Sequence, residues 1–216
     1  MIDAVVFDLD GVLIDSEPVW EEVRRGLVDE RGGRWPSDAQ DRLMGMSTPE
    51  WARYLSKELA VRLPPPQVAT TVVDRMAARY RKNLPLMSGA TATLDRVAER
   101  WPLALASSSP RALIDTVLAT AGWAALFNVT ISTEEVGNGK PAPDVYLAAA
   151  ERLRVAAHSC VAVEDSSNGL RSAATAGLRL VAIPQPRYPV ETDALAGARV
   201  LGSLVDLDVS LIESIR

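Results

Sequence analysis

Two aspartates one residue apart, Asp8 and Asp10, end the apolar run Ala4-Val5-Val6-Phe7 and are followed by Gly11. Two carboxylates aimed at one spot repel each other. Such a pair is tolerated where a cation lies between them or where one holds a proton. Either condition points to chemistry rather than packing. Other polar groups close later apolar runs in the same way. Ser107-Ser108-Ser109 follows Leu103-Ala104-Leu105-Ala106, and Glu164-Asp165 follows Cys160-Val161-Ala162-Val163. Lys140 stands in the loop Gly139-Lys140-Pro141. Carboxylate oxygens are hard ligands suited to Mg²⁺. Lys140 offers a point charge to an anion. Ser107 and Ser108, just ahead of a helix at Pro110, add hydroxyls, backbone donors and the positive end of a helix dipole. A cation site and an anion site together read as a phosphate ester held on Mg²⁺.

The elements that must bring these groups together can be read from periodicity. The first apolar, β-branched run is a buried strand, ended by a turn at Gly11. Alternation along a strand puts Asp8 and Asp10 on the same side at its carboxyl end. From Glu17 to about Arg31 the pattern is helical, with Val19, Trp20, Val23, Leu27 and Val28 at spacings of three and four. Asp15 or Ser16 can cap this helix, and Pro18 suits its first turn. More helices are predicted over 38–44, 49–60 and 66–84, with Pro64-Pro65-Pro66 separating the last two. Residues 15–86 therefore form an all-helical insert, read as a separate small domain. From Gly89 onward helices (91–100, 111–121, 144–153, 168–176) alternate with strands (103–106, 129–132, 160–163, 180–183). A short strand or loop and a closing helix end the chain. This alternation predicts a doubly wound, mainly parallel α/β sheet with helices on both faces. Residues 1–14 and 87–216 would form that core. Its carboxyl edge is where the polar groups converge.

The bulk composition narrows the partners. Of 216 residues, 48% are hydrophobic, enough for a large core, and the net charge is −5. That charge argues against sequence-independent binding to nucleic acid or an anionic membrane. The chain contains no apolar run long enough to span a bilayer and no signal-peptide pattern, so a cytoplasmic location is expected. The single cysteine, Cys160, cannot form an intramolecular disulfide and reads as an inert core thiol. His158 is the only histidine and reads as a surface residue. With one Cys and one His there is no zinc pattern.

Four motifs in order, Asp8-Leu9-Asp10-Gly11-Val12, Ser107, Gly139-Lys140-Pro141-Ala142-Pro143-Asp144 and Val163-Glu164-Asp165-Ser166, resemble those of the haloacid dehalogenase superfamily of phosphatases and phosphomutases. The resemblance implies a Rossmann-like core with an inserted four-helix cap, as in β-phosphoglucomutase and sugar-phosphate phosphatases. It implies Asp8 as the nucleophile that forms an aspartyl-phosphate and Asp10 as acid and base. Mg²⁺ would be bound by Asp8, the Asp10 backbone carbonyl and Asp165, with Glu164 as a direct or supporting ligand. Ser107, Ser108 and Lys140 would hold the phosphoryl group. A second aspartate is absent from the family's dehalogenases, so Asp10 favours phosphoryl transfer.

Specificity is sought in the cap, at Glu17, Trp20, Gly45, Met46 and Ser47. For Trp20, packing within the cap is favoured over a substrate-facing wall. Ser109 reads as a helix cap without a catalytic role, and Glu164-Asp165 can also be read as a capping pair for the following helix. β-Phosphoglucomutase carries a histidine where this chain has Trp20, and an arginine in the cap loop where this chain reads Leu43-Met44-Gly45-Met46-Ser47-Thr48-Pro49. Asp15-Ser16-Glu17-Pro18 instead looks like sugar- and hexitol-phosphate phosphatases. The expected activity is a Mg²⁺-dependent phosphatase acting on a small phosphorylated sugar or polyol, as a monomer or weak dimer. A phosphosugar mutase and a non-catalytic phospho-ligand binder are the alternatives.

Overall fold

The apolar run at the start of the chain becomes β1 (Ala4–Phe7), buried at every position. The computed structural model describes residues 1–43 and 46–215. After β1 come α1 (Glu17–Glu30), α2 (Ala39–Leu43), α3 (Thr48–Lys57) and α4 (Pro65–Lys82). Then α5 (Ala90–Ala98), β2 (Leu103–Ser107), α6 (Arg111–Ala121), β3 (Phe127–Ser132), α7 (Asp144–Leu153), β4 (Cys160–Glu164), α8 (Ser167–Thr175), β5 (Arg179–Ala182), β6 (Ala198–Val200) and α9 (Val209–Ser214) complete the chain. The six strands form one sheet in the order β3-β2-β1-β4-β5-β6, and every pairing is parallel. This is the doubly wound fold that the strand–helix alternation predicts. Its order reverses at β1.

Side-chain parity divides the core in two. On one face Val5, Phe7, Leu103, Leu105, Val161 and Val163 pack against Leu94 and Val97 of α5 and Leu113, Ile114 and Val117 of α6. On the other face the strands present Ala4, Val6, Ala104, Ala106 and Ala162 to Val145, Tyr146 and Ala149 of α7 and Leu170 and Ala173 of α8. The small side chains on this second face leave room for helices to lie close, and α7 carries Tyr146 to the sheet end.

Four helices, α1 to α4, lie between β1 and α5. Their apolar faces meet through Trp20, Val23 and Leu27 of α1, Trp51 and Leu55 of α3, and Val68, Val72 and Met76 of α4, all buried. Trp20 and Trp51 meet edge to face, with ring centroids 5.9 Å apart. The chain leaves and returns at one paired point. Asp15 N–H donates to Pro85 O at 2.8 Å, and Met87 N–H donates to Leu13 O at 2.9 Å. Ile14 and Leu86 thus form an antiparallel bridge.

Several local readings need correction. Ser16 occupies the cap position of α1, but its side chain makes no capping bond, and α1 begins with Glu17 and Pro18 in its first turn. α8 is capped by Ser166, whose Oγ accepts from Gly169 N–H, and not by Glu164-Asp165. β3 begins two residues earlier than the apolar pattern indicated, at Phe127, because Asn128 is accommodated by accepting Leu103 N–H at 3.0 Å. Leu105 is wholly buried in β2. Leu105→Ala is expected to lower unfolding free energy by about 2–5 kcal/mol, read as a lower urea midpoint at an unchanged slope.

Candidate active site

The Lys140 ammonium sits at the centre of the site. Its Nζ donates to Asp8 Oδ1 at 2.6 Å, to Glu164 Oε1 at 2.6 Å and to the Ala106 carbonyl at 3.0 Å. The register explains this set. Phe7 pairs with Leu105 of β2 and Val163 of β4, so the next residues, Asp8, Ala106 and Glu164, form one row across three adjacent strands. Glu164 is completely buried. Its Oε1 also accepts from Tyr146 Oη at 2.7 Å. Its Oε2 accepts from the N–H groups of Asp165 and Ser166 and from Ser166 Oγ. Gly169 makes room for it, since a Cβ there would lie 1.8 Å from Glu164 Oε1. Glu164 is saturated by these donors and is built to orient Lys140 and the following turn. Although burial works against the charged form, Asp8 and Glu164 hold the Lys140 ammonium well above its ordinary pKa.

Asp10 belongs to a different set. β1 ends at Phe7, so strand alternation does not extend to Asp10, and the two aspartates take separate partners. Asp10 Oδ2 accepts from Ser109 Oγ at 2.7 Å and from Ser107 Oγ at 3.3 Å. Ser107 Oγ accepts in turn from Ser109 N–H at 3.0 Å. Ser109 is therefore not merely a helix cap. The cap position of α6 falls on Pro110, and the Ser109 hydroxyl turns to Asp10. Ser132, at the end of β3, donates to the Ser109 carbonyl at 2.7 Å and fixes that turn.

Asp8, Glu164 and Asp165 each offer an oxygen within 4.8 Å of the others. Burial, with help from Glu164 and Asp10, pushes the Asp8 carboxyl up to about 8, against the pull of Lys140. Burial and the charges of Glu164 and Asp8 likewise push Asp165 well above the usual carboxylate range. Carboxylates so placed are short of positive charge, and a divalent cation fits that deficit. Since the oxygens of Glu164 are already engaged, Asp8 and Asp165 are the natural ligands. Gly11 has φ +78°, and a Cβ there would lie 1.9 Å from Asp165 Oδ2, so only glycine admits that carboxylate.

These groups open into a cavity of about 1190 Å³. Asp8, Asp10, Lys140, Asp165 and Ser108 line its sheet side, and Glu17, Trp20, Met46 and Ser47 line its helical side. Ser107 is fully buried beneath it. Glu17 accepts from Gln40 Nε2 at 2.6 Å. Trp20 is 5% exposed, so it packs within the helices and also borders the cavity. Ser47 donates through both N–H and Oγ to Glu50 at the start of α3. Gly45 lies outside the described residues. His158 is exposed, and Cys160 is buried with its thiol pushed up to about 11 by burial. Tyr146 and Arg24 also belong to this region, and neither stands out from periodicity alone. Tyr146 had one available signal, its place two residues into the helix that follows the Lys140 loop.

Comparison with known proteins bears on this geometry. A family model described as haloacid dehalogenase-like hydrolase matches residues 2–177. The chain belongs to this family. It is similar to the "Probable pseudouridine-5'-phosphatase" of Drosophila melanogaster, with 33% identity over 93% of this chain and 89% of that protein. It is also similar to the phosphorylated carbohydrates phosphatase of Thermotoga maritima, with 31% identity over 83% of this chain and 84% of that protein. Among solved structures, CbbY from Rhodobacter sphaeroides in complex with phosphate aligns with a TM-score of 0.87 at 26% identity, covering 99% of this chain and all of that one. The family and these relatives bear out the expected enzyme class, a phosphoric monoester hydrolase. Among the described residues no helix is long and apolar enough to cross a membrane.

The raised Asp8 carboxyl of this haloacid dehalogenase-like hydrolase has a measurable consequence. The folded state keeps a proton up to about pH 8, whereas the unfolded chain releases it near pH ~3.9. Between those values the native state binds more protons, so its stability falls as pH rises. The urea midpoint of the chelator-treated hydrolase is expected to fall between about pH 5 and 8. Asp8→Asn should flatten that slope. A midpoint that rises over the same range contradicts it.

Proposed function

We propose that this hydrolase is a Mg²⁺-dependent phosphatase that cleaves a small phosphorylated sugar or polyol through an aspartyl-phosphate on Asp8. The observation that carries the reading is the Asp8 carboxylate, gripped on one oxygen by Lys140 at 2.6 Å and grouped with Glu164 and Asp165. Such an arrangement leaves Asp8 a second oxygen for attack while its orientation is held. Similarity to a phosphatase of phosphorylated carbohydrates supports the substrate class. In this reading residues 15–86 act as a cap over the sheet edge.

An Asp8 oxygen attacks phosphorus in line, and the bond from phosphorus to the sugar oxygen breaks. Asp10 delivers a proton to that leaving oxygen. In the second half a water attacks the phosphoryl group, Asp10 takes its proton, and the Asp8 carboxylate is released with inorganic phosphate. Ser107 and Ser109, which hold Asp10 in the resting enzyme, aim it toward the leaving-group side. Lys140, Ser107 and the backbone at Ser108 offset the charge of the phosphoryl oxygens. Mg²⁺, held by Asp8, Asp165 and the Asp10 carbonyl, would supply further positive charge to those oxygens. Glu164 keeps Lys140 in place.

The test is phosphate release from a panel of sugar, polyol and nucleoside monophosphates. Activity is expected to need Mg²⁺, to disappear in EDTA, and to fall by at least about 10³-fold in Asp8→Asn. Lys140→Met should lose about 10²-fold or more in kcat. Retention of activity in Asp8→Asn would remove the nucleophile assignment. Isomerisation of β-glucose 1-phosphate with little free phosphate would make the protein a mutase instead.

A further inference from the structure

Arg24 is a buried cation on the cavity wall that the proposed hydrolysis does not use. It lies on α1, one turn beyond Trp20, and is 5% exposed. Its guanidinium carbon stands 4.4 Å from the centroid of the Trp20 ring and 5.1 Å from that of Trp51. Its Nε is buried without a hydrogen-bond partner among the described residues. Glu17 and Asp10 act on it through charge at longer range, and the Glu17 oxygen Oε2 already accepts from Gln40. The two indole faces offset part of the cost of burying this charge. They leave Nε unused, and the planar guanidinium fork to which it belongs matches a carboxylate or a phosphate.

The surroundings share this incompleteness. The Oε1 of Gln40 is also buried without a partner among the described residues, while the hydroxyls of Ser16 and Tyr80 turn to each other. Ser16, Trp20, Trp51 and Arg24 all line the cavity that contains Asp8 and Lys140. A molecule whose ester lies at Asp8 therefore extends toward Arg24. Sugar hydroxyls can serve Ser16 on this wall, but a neutral group at Arg24 leaves the buried guanidinium without a directly hydrogen-bonded anion.

We propose that Arg24 receives a second anionic group of the substrate, a carboxylate or a second phosphate, at the end away from the ester that is cleaved. This rests on the phosphatase reading and narrows it from phosphorylated sugars in general to those with an acidic tail. Trp20 and Trp51 hold the guanidinium plane, and Arg24 chooses among esters without touching the reacting atoms.

The test compares kcat/KM of the Mg²⁺-loaded enzyme on sorbitol 6-phosphate, 6-phosphogluconate and fructose 1,6-bisphosphate, with p-nitrophenyl phosphate as an ester without a tail. At least one acid-tailed ester is expected to exceed sorbitol 6-phosphate by about tenfold or more. Which of the two does so separates carboxylate from phosphate. In Arg24→Met that ratio should collapse to near one, mainly through KM, while Arg24→Lys keeps part of it. Arg24→Gln carries the same expectation should the methionine variant not fold. An equal loss on all four esters makes Arg24 a support for the tryptophans and overturns the proposal, as does a wild-type enzyme with no preference for acidic tails. Calorimetric binding to Asp8→Asn reads Arg24 without turnover. There the acid-tailed ester should bind about tenfold or more tightly than sorbitol 6-phosphate, and the added Arg24→Met change should remove that margin. Phosphate release from none of the esters, with this binding difference intact, would defeat the phosphatase reading alone. Equal binding of both esters would defeat the Arg24 proposal alone.

Discussion

One buried ammonium, that of Lys140, organises the carboxyl edge of the sheet. Removing a single partner from a buried ion pair costs about 3–5 kcal/mol, because the remaining charge stays away from water. Asp8, Glu164 and Lys140 are therefore bound to one another's positions. The strand order makes the triad possible. Only with β1 between β2 and β4 do Asp8, Glu164 and the Ala106 carbonyl fall in one row within reach of a single Nζ. Tyr146 completes the arrangement from α7, and it reaches the row because the strand residues beneath that helix are mostly alanines.

The same edge keeps its two aspartates in unlike surroundings. Asp8 is buried beside the Lys140 ammonium and the wholly buried Glu164, with Asp10 close by, so its carboxyl is raised by lost hydration more than it is lowered by Lys140. Asp10 faces two hydroxyls, one at the end of β2 and one in the turn after it. Residues with one charge and one side-chain length thus acquire different partners and different directions of approach. Two acids two residues apart can in this way face a bound ester from different sides.

Much of the architecture could be read from residue types, because β1, β2 and β4 are apolar runs that stop abruptly at polar residues. Helices with wide apolar stripes, such as Glu17–Glu30 and Asp144–Leu153, were legible for the same reason. Contacts between elements were less legible. Ser109 has the sequence context of a helix cap, and only the path of the turn after β2 brings its hydroxyl to Asp10. Glu164 could be assigned to a metal or to a helix cap, and residue type alone did not reveal that Lys140, Tyr146 and the Asp165 N–H all donate to it. Arg24 lies on a helix where Glu22, Arg25, Asp29 and Glu30 are exposed, and periodicity could not distinguish a buried guanidinium from a solvated one. Local pattern specifies which face a residue occupies. What stands opposite that face depends on parts of the chain far away.

The paired exit and return at Ile14 and Leu86 has a consequence for how the chain can vary. To the sheet, everything between those residues is a single closed loop, fastened by two backbone hydrogen bonds. The entropy of closing a flexible loop grows only with the logarithm of its length, about 0.6 kcal/mol for each doubling. Helices can therefore be lengthened, shortened or exchanged within that loop while the sheet sees almost the same tether. The chemistry at Asp8 and Lys140 is insulated from such changes, and the wall that contains Arg24 is free to diverge.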